Sequence, residues 1–456
     1  MKAADDAKNP AESEKADAAN SSKAKSDDKK DGGWPTPRPA LAFTAPFGDF
    51  GQPAPPHAES VLFKSATVWT SAASGIMTDC DVLVQGGRIS AVGHGIQVPA
   101  ATRTIDCTGM HLTPGMIDCH SHTGVDGSVN EATEACSAEV RIGDVIDPDD
   151  VNWYRQLAGG VTCVNQLHGS ANPIGGQNSV VKLKWGSPLA SWPAAGAKPG
   201  IKFALGENVV RPRGRYPQTR MGVEAYLRDR FQAALEYRAA QAAFNTNPDR
   251  ARLAPVREDL ELETLAEILE GKRIIHCHSY RQDEILMLLR LADELGFRIG
   301  TLQHVLEGYK VADAIARHGA GASCFSDWWA YKMEVMDAIP WAGAIMHRQQ
   351  VVVSFNSDSN ELARRLNVEA AKAVKYGGLD PAAALCFVTI HPARQIGFGE
   401  RTGSIEVGKD ADLALWSGDP LSPMSVCQQT WIDGALHFDR AVDLAMRPTQ
   451  IGRAHV

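Results

Sequence analysis

The chain has 456 residues, 44% of them hydrophobic, with 46 Lys and Arg set against 54 Asp and Glu for a formal net charge of -8. That much apolar material supports a large core divided over two or three structural units, while the lack of a basic field excludes a nucleic-acid binder. No apolar run approaches the ~20 residues that span a bilayer, and nine scattered cysteines without a CxxC pair read as buried thiols rather than disulfides.

Residues 1–33 contain no Val, Ile, Leu, Phe, Tyr or Trp, so they cannot offset chain entropy by burial and are expected as a disordered tail. Trp34 to about Ser60 is rich in Pro and aromatics and suits an extended arm, which completes a segment 1–60. Residues 61–113 hold the alternating runs VLFKSATVWT, CDVLVQGGRISAVG and TRTIDCTGMHLT, which predict strands of a small β unit. The same texture returns within 396–445 as GSIEVGKDADLALWSG and QQTWIDGALHFD, so the two segments are expected to complete one sandwich, with 446–456 a C-terminal tail. A soluble protein is expected, cytoplasmic by default, or periplasmic or secreted if a signal peptide has been removed.

Between these segments, over 114–395, strand-length apolar runs alternate with helical periodicity, the pattern of parallel β/α architecture. Eight runs are candidates: GMIDCHSH, VTCVNQLH, NSVVKLKW, IKFALGE, RIIHCHS, FRIGTLQH, GAGASCFS and VVVSFNSD. Several end on His, Glu or Asp. Packing disfavours charge inside strands, and β/α barrels carry their active sites at strand C-termini, so these polar ends carry the functional signal.

His120 and His122 stand two apart after an apolar strand, project to one face and can share a metal. In RIIHCHSYRQDEI two more histidines share a face. His278 is the expected ligand, and His276 is expected a layer deeper as a satisfied interior residue. His304 closes an apolar strand, and Asp358 follows the most apolar run of the chain, where it also suits a helix N-terminus before ELARRL. His168, in the loop QLHGSANPIGGQNS, either polarises a scissile carbonyl or caps its loop. That glycine-rich stretch lacks the Lys-Ser/Thr ending of a phosphate loop. Asp327, Trp328, Trp329, Tyr331 and Lys332 fall beside the expected site mouth, and Arg211, Arg213 and Arg215 either hold a substrate carboxylate or form a solvated loop. Lys182 and Lys202 lie in strand regions but not at strand ends.

TPGMIDCHSH, NSDS after an apolar strand, and GSIEVGKDADLALW together resemble the amidohydrolase superfamily over residues 61 to about 440, in particular its imidazolonepropionase-like and Xaa-Pro dipeptidase-like members. The resemblance implies a (β/α)8 TIM barrel with a small β-sandwich formed from both chain ends. It implies divalent metal, with two Zn ions expected and Mn, Fe, Co or Ni also compatible. The implied ligands are His120, His122, Glu207, His278, His304 and Asp358, with Glu207 bridging two ions in place of the carbamylated lysine of other subgroups. Tyr280, in a segment resembling HxY, becomes a donor to the substrate carbonyl; it joins Asp358 and His168 as the catalytic set. The function implied is hydrolysis of a C–N amide bond in a dipeptide or N-acyl amino acid by metal-bound hydroxide, with Asp358 as proton shuttle. Cyclic amide hydrolysis, deamination, or metal binding without turnover are the alternatives. The expected partners are a small-molecule or peptide substrate and, through outer helices, copies of the same chain.

Overall fold

Alternation of apolar and polar residues at the two ends of the sequence produces one sheet. In a computed structural model of the chain, β1 (Val61–Trp69), β2 (Ile76–Gln85), β3 (Arg88–Gly93), β4 (Arg103–Asp106) and β5 (His111–Pro114) form its first part. The residues described are 44–48, 50–325 and 331–453; the expected tail over 1–33 and Asp327, Trp328 and Trp329 lie outside them.

The central segment supplies β6 (Met116–Ser121), α1 (Val151–Leu157), β7 (Val161–Gln166), β8 (Ile174–Gln177), β9 (Ser179–Lys182) and β10 (Gly200–Ala204). It continues through α2 (Arg220–Thr246), α3 (Leu260–Leu269), β11 (Ile274–Ser279), α4 (Gln282–Leu295), β12 (Ile299–His304), α5 (Ala312–His318) and β13 (Gly321–Cys324). Then come α6 (Ala342–Arg348), β14 (Val353–Phe355), α7 (Asn360–Ala363), α8 (Leu366–Gly377), α9 (Pro381–Cys386) and α10 (Ile390–Gln395). β10 to β14 pair in sequence order, each parallel to the next, and β6 pairs parallel with β7. Every residue of β6, β7 and β10 is buried, as expected of strands covered on both faces. α4 shows how the covering forms: Ile285, Leu288, Leu289, Leu291 and Ala292 make its buried stripe, and Asp283 and Glu284 complement the dipole of its first turn.

One expectation fails. NSVVKLKW was expected as a further parallel strand, but β9 runs antiparallel to β7 and β8 antiparallel to β10. A parallel return needs a crossover of a dozen or more residues, usually helical, and no helix separates β7 from β9.

β15 (Leu413–Trp416), β16 (Cys427–Ile432) and β17 (Ala435–Asp439) then join the first sheet in the order β17-β16-β15-β5-β1-β2-β3, with β4 on β1. The seam is antiparallel, with Leu415 opposite Leu112, and Val61, Phe63, Val82, Leu413 and Trp431 fill its core. The β16–β17 turn is Asp433–Gly434, both at positive φ (49° and 71°), as a tight two-residue hairpin requires. Lys182 of β9 reaches into this sheet: its Nζ lies 2.9 Å from Asp410, 2.9 Å from Asp412 and 2.5 Å from Asp433. The lysine therefore fills the centre of that carboxylate group. α11 (Arg440–Arg453) is helical where a tail from 446 was expected. All nine cysteines are free, and all but Cys386 are buried. Among the described residues no helix is long and apolar enough to cross a membrane.

Candidate active site

The period of two along β6 sends the His120 and His122 rings to one place, with their Nε2 atoms 3.3 Å apart. Each ring is oriented from behind. His120 Nδ1 lies 3.1 Å from Gln303 Oε1 and His122 Nδ1 lies 2.8 Å from Leu167 O. Because a carbonyl oxygen only accepts, both Nδ1 atoms carry the proton, and both Nε2 lone pairs face a common point.

Three neighbouring strands add to this point. His304, the last residue of β12, brings its ring to 4.5 Å from that of His120 and stacks on Phe325. The His278 ring in β11 lies 4.7 Å from that of His304, and its buried Nε2 has no hydrogen-bond partner among the described residues. Asp358, three residues past β14, places Oδ1 3.4 Å from His122 Nε2 and 3.8 Å from His120 Nε2, with Oδ2 4.0 Å from His304 Nε2. It is held there by its own N–H, which donates to His120 O (3.2 Å), and by a left-handed backbone at φ 44°, a conformation Asp tolerates better than most residues.

Burial, helped by the Lys202 charge, drives His120 and His278 well below the usual histidine range and His122 down to about 3. For His304 burial is again the largest cause, followed by His278. Asp358 is pushed up to about 6 by burial, partly offset by Lys202. Neutral imidazoles with free lone pairs, one unsatisfied buried ring nitrogen and a carboxylate within 4 Å suit a borderline divalent metal. His120, His304 and Asp358 can each offer an atom within 4.8 Å of the others.

Lys202 is the residue the sequence reading passed over. It lies inside β10, 1% exposed, with Nζ 3.3 Å from His120 Nε2. Burial lowers it to about 8 against the opposing pull of Asp358. The available signal was a lysine within an otherwise apolar buried strand, a placement that is rare without a partner. Glu207 shows the reverse. Gly206, at φ 82°, turns the chain after β10, and the Glu207 carboxylate lies 45% exposed, 3.0 Å from Lys332 Nζ. The structure does not bring it to the histidines.

His168 is fully engaged: Nε2 accepts from the Glu131 N–H at 2.8 Å and Nδ1 donates to Gly169 O at 2.9 Å. Of its two readings the geometry is that of a loop cap. His276 is buried a layer below His278, pushed down to about 3 by burial, and neither ring nitrogen has a partner among the described residues, so it is not the satisfied interior histidine expected. Arg211 and Arg215 donate from their guanidinium groups to loop carbonyls, both reaching Ala171 O. Tyr280 does join the cluster. Its ring lies 4.5 Å from that of His278, its hydroxyl 2.9 Å from that of Tyr331, and Lys332 Nζ sits 4.5 Å over its face. Burial, then Tyr331, raises its pKa.

The Amidohydrolase family matches residues 250–436. Over 397 residues the chain is 32% identical to the amidohydrolase tasK of Hapsidospora irregularis, a match that takes in 80% of this chain but 40% of that longer protein. An imidazolonepropionase of Acidiphilium cryptum (strain JF-5) is 24% identical over 403 residues, 79% of this chain and 93% of its own. The crystal structure of an amidohydrolase from Thermotoga maritima MSB8 superposes with a TM-score of 0.77 at 34% identity, covering 83% of this chain and 100% of that one. With a solved relative matched along its whole length at that identity, the chain belongs to the amidohydrolase family.

Proposed function

We propose that the protein is a metal-dependent hydrolase of C–N amide bonds acting on dipeptides or N-acyl amino acids. The observation that carries this reading is the convergence of two oriented histidine Nε2 atoms, 3.3 Å apart, with the Asp358 carboxylate 3.4 Å from one of them. We read the segment from β6 to β14 as one (β/α)8 barrel, since the chain just past β14 meets β6 through the Asp358 N–H to His120 O bond, and the sheet built from both chain ends as its β-sandwich.

His120, His122, His278, His304 and Asp358 would hold the metal, zinc by donor type, with Mn, Fe, Co or Ni as substitutes. When bound, a divalent ion supplies Lewis acidity and acidifies water. Asp358 takes a proton from the attacking water and passes it to the departing nitrogen. The Tyr280 hydroxyl, protonated at any working pH, donates to the substrate carbonyl oxygen. Burial keeps the histidines neutral and therefore able to donate lone pairs. Lys202, rather than Glu207, would join them as a further ligand, its Nζ lying 3.3 Å from His120 Nε2. An ammonium 3.3 Å from a ligand nitrogen repels a metal, whereas the neutral amine adds carbon dioxide with loss of a proton, and the resulting carbamate is an anionic ligand.

The metal-loaded protein should release free amino acids from a library of dipeptides and N-acyl amino acids. Silence across that library would sink the substrate class, while ring opening of a cyclic amide without ammonia, or ammonia release from an aminopurine, would move the reading to cyclic amide hydrolysis or deamination. Protein grown with 13C-bicarbonate should show one carbamate carbon resonance that Lys202→Arg abolishes.

A further inference from the structure

A cavity of about 480 Å³ lies between α1, the residues after α7, β17 and the start of α11, and none of the histidine-site residues lines it. Its apolar wall is aromatic. Phe50 stacks on Tyr154 with ring centroids 4.7 Å apart, and Phe438 meets the same tyrosine edge-on at 5.5 Å. Its polar wall holds five arginines, Arg155, Arg364, Arg365, Arg440 and Arg447, against a single acid, Asp443.

The charges do not cancel. Asp443 is already taken, by Arg447 at 2.7 Å and by the Tyr154 hydroxyl at 3.1 Å, and Arg364 pairs with Glu361. Arg440 donates to Cys427 O at 2.7 Å and Arg155 to Asn152 Oδ1 at 3.2 Å, both uncharged partners. The Arg365 guanidinium has no hydrogen bond or ion pair among the described residues, its three bonds being made by the backbone. Three guanidinium groups thus line one cavity without a counter-charge. Planar guanidinium groups match the oxygens of phosphate two at a time, and they retain their charge at any physiological pH. A cavity of several hundred Å³ with an aromatic wall and a few convergent polar groups is the usual form of a small-ligand site.

We propose that this cavity binds a small phosphate monoester with a flat aromatic body, the phosphate held by Arg155, Arg365 and Arg440 and the ring lying against Phe50, Tyr154 and Phe438. The proposal is independent of the reaction at the histidine cluster.

Isothermal titration of the metal-loaded protein with phenyl phosphate tests it. One equivalent should bind, and inorganic phosphate or phenol alone should bind at least about tenfold more weakly, since each lacks one half of the recognition. Arg365→Ala, at an exposed side chain, and Arg155→Ala should each weaken phenyl phosphate about tenfold or more, as loss of a charge-assisted hydrogen bond does. No binding at millimolar phenyl phosphate would overturn the proposal. So would unchanged affinity in both variants, which would put the ligand at the metal centre, and so would inorganic phosphate binding as tightly as the ester, which would remove the aromatic wall from recognition.

Discussion

Asp358→Asn separates what this residue does for chemistry from what it costs the fold. Asn is nearly isosteric and enters the left-handed region as readily as Asp, so the φ of 44° and the backbone bond to His120 O should survive the change. The proton shuttle does not survive. Its loss should lower kcat by about 10²–10⁴-fold, the usual contribution of a positioned base. Stability should move the other way. In the metal-free protein burial raises the carboxyl from 3.8 to about 6, so the folded state holds its proton up to about 6 while the unfolded chain has lost it by about 4. Stability is then full below the lower value and declines as pH rises through the upper one, by about 3 kcal/mol in total. The chelated variant at pH 8 should therefore melt higher than the chelated wild type, by up to that free energy less what Lys202 loses when its partner carboxylate goes. The assays are amino-acid release from the first dipeptide found to be a substrate, and thermal melts of chelated protein at pH 5 and 8. Turnover above a tenth of wild type would refute the shuttle. Equal melting of both proteins at both pH values would refute the buried-charge argument.

Lys182→Met leaves Asp410, Asp412 and Asp433 facing one another around a side chain that was 4% exposed; the variant should lose about 3–5 kcal/mol in urea unfolding, and a loss under about 1 kcal/mol would show the cluster to be neutral. His391 donates from Nδ1 to Val353 O at 2.7 Å and burial lowers it to about 4. The unfolded chain takes up that proton near 6.5 and the folded one only near 4, so about 3 kcal/mol of stability is lost as pH falls through this window. His391→Gln should flatten the fall in urea midpoint between pH 7 and 4.5, and an unchanged slope would exclude His391 as its source. Chelation should abolish turnover and lower the melting temperature, and zinc at a hundredfold excess over its Kd should restore about 2.7 kcal/mol; identical melts with and without chelator would argue against a metal bound to the native state.

Several elements were legible because their signals are local. Period-two alternation with apolar lead-ins marked the strands that carry His120, His278 and His304, and the β texture at both chain ends marked two segments that hydrogen bond to each other as β5 and β15. Local pattern also placed Asp358 just past its strand, but not its distances to three histidines that come from two other strands.

What only the tertiary structure decided depends on reach, turns and competition for hydrogen bonds. Alternation says which face a residue takes, not the height its atoms attain. Lys202 sits two residues short of its strand end, yet its four-carbon stem lifts Nζ to His120 Nε2, while Glu207, three residues beyond the same end, is carried outward once Gly206 turns the chain. His168 looked as available as any other loop histidine until Glu131 N–H and Gly169 O occupied both its nitrogens. The antiparallel β8 and β9 likewise replaced a parallel strand because too little chain was left for a crossover. The sequence by itself determined which donor types stand at which strand ends, since side-chain alternation and burial act within a few residues. The choice of which of those donors meet belongs to contacts between segments up to 238 residues apart, such as Asp358 N–H with His120 O.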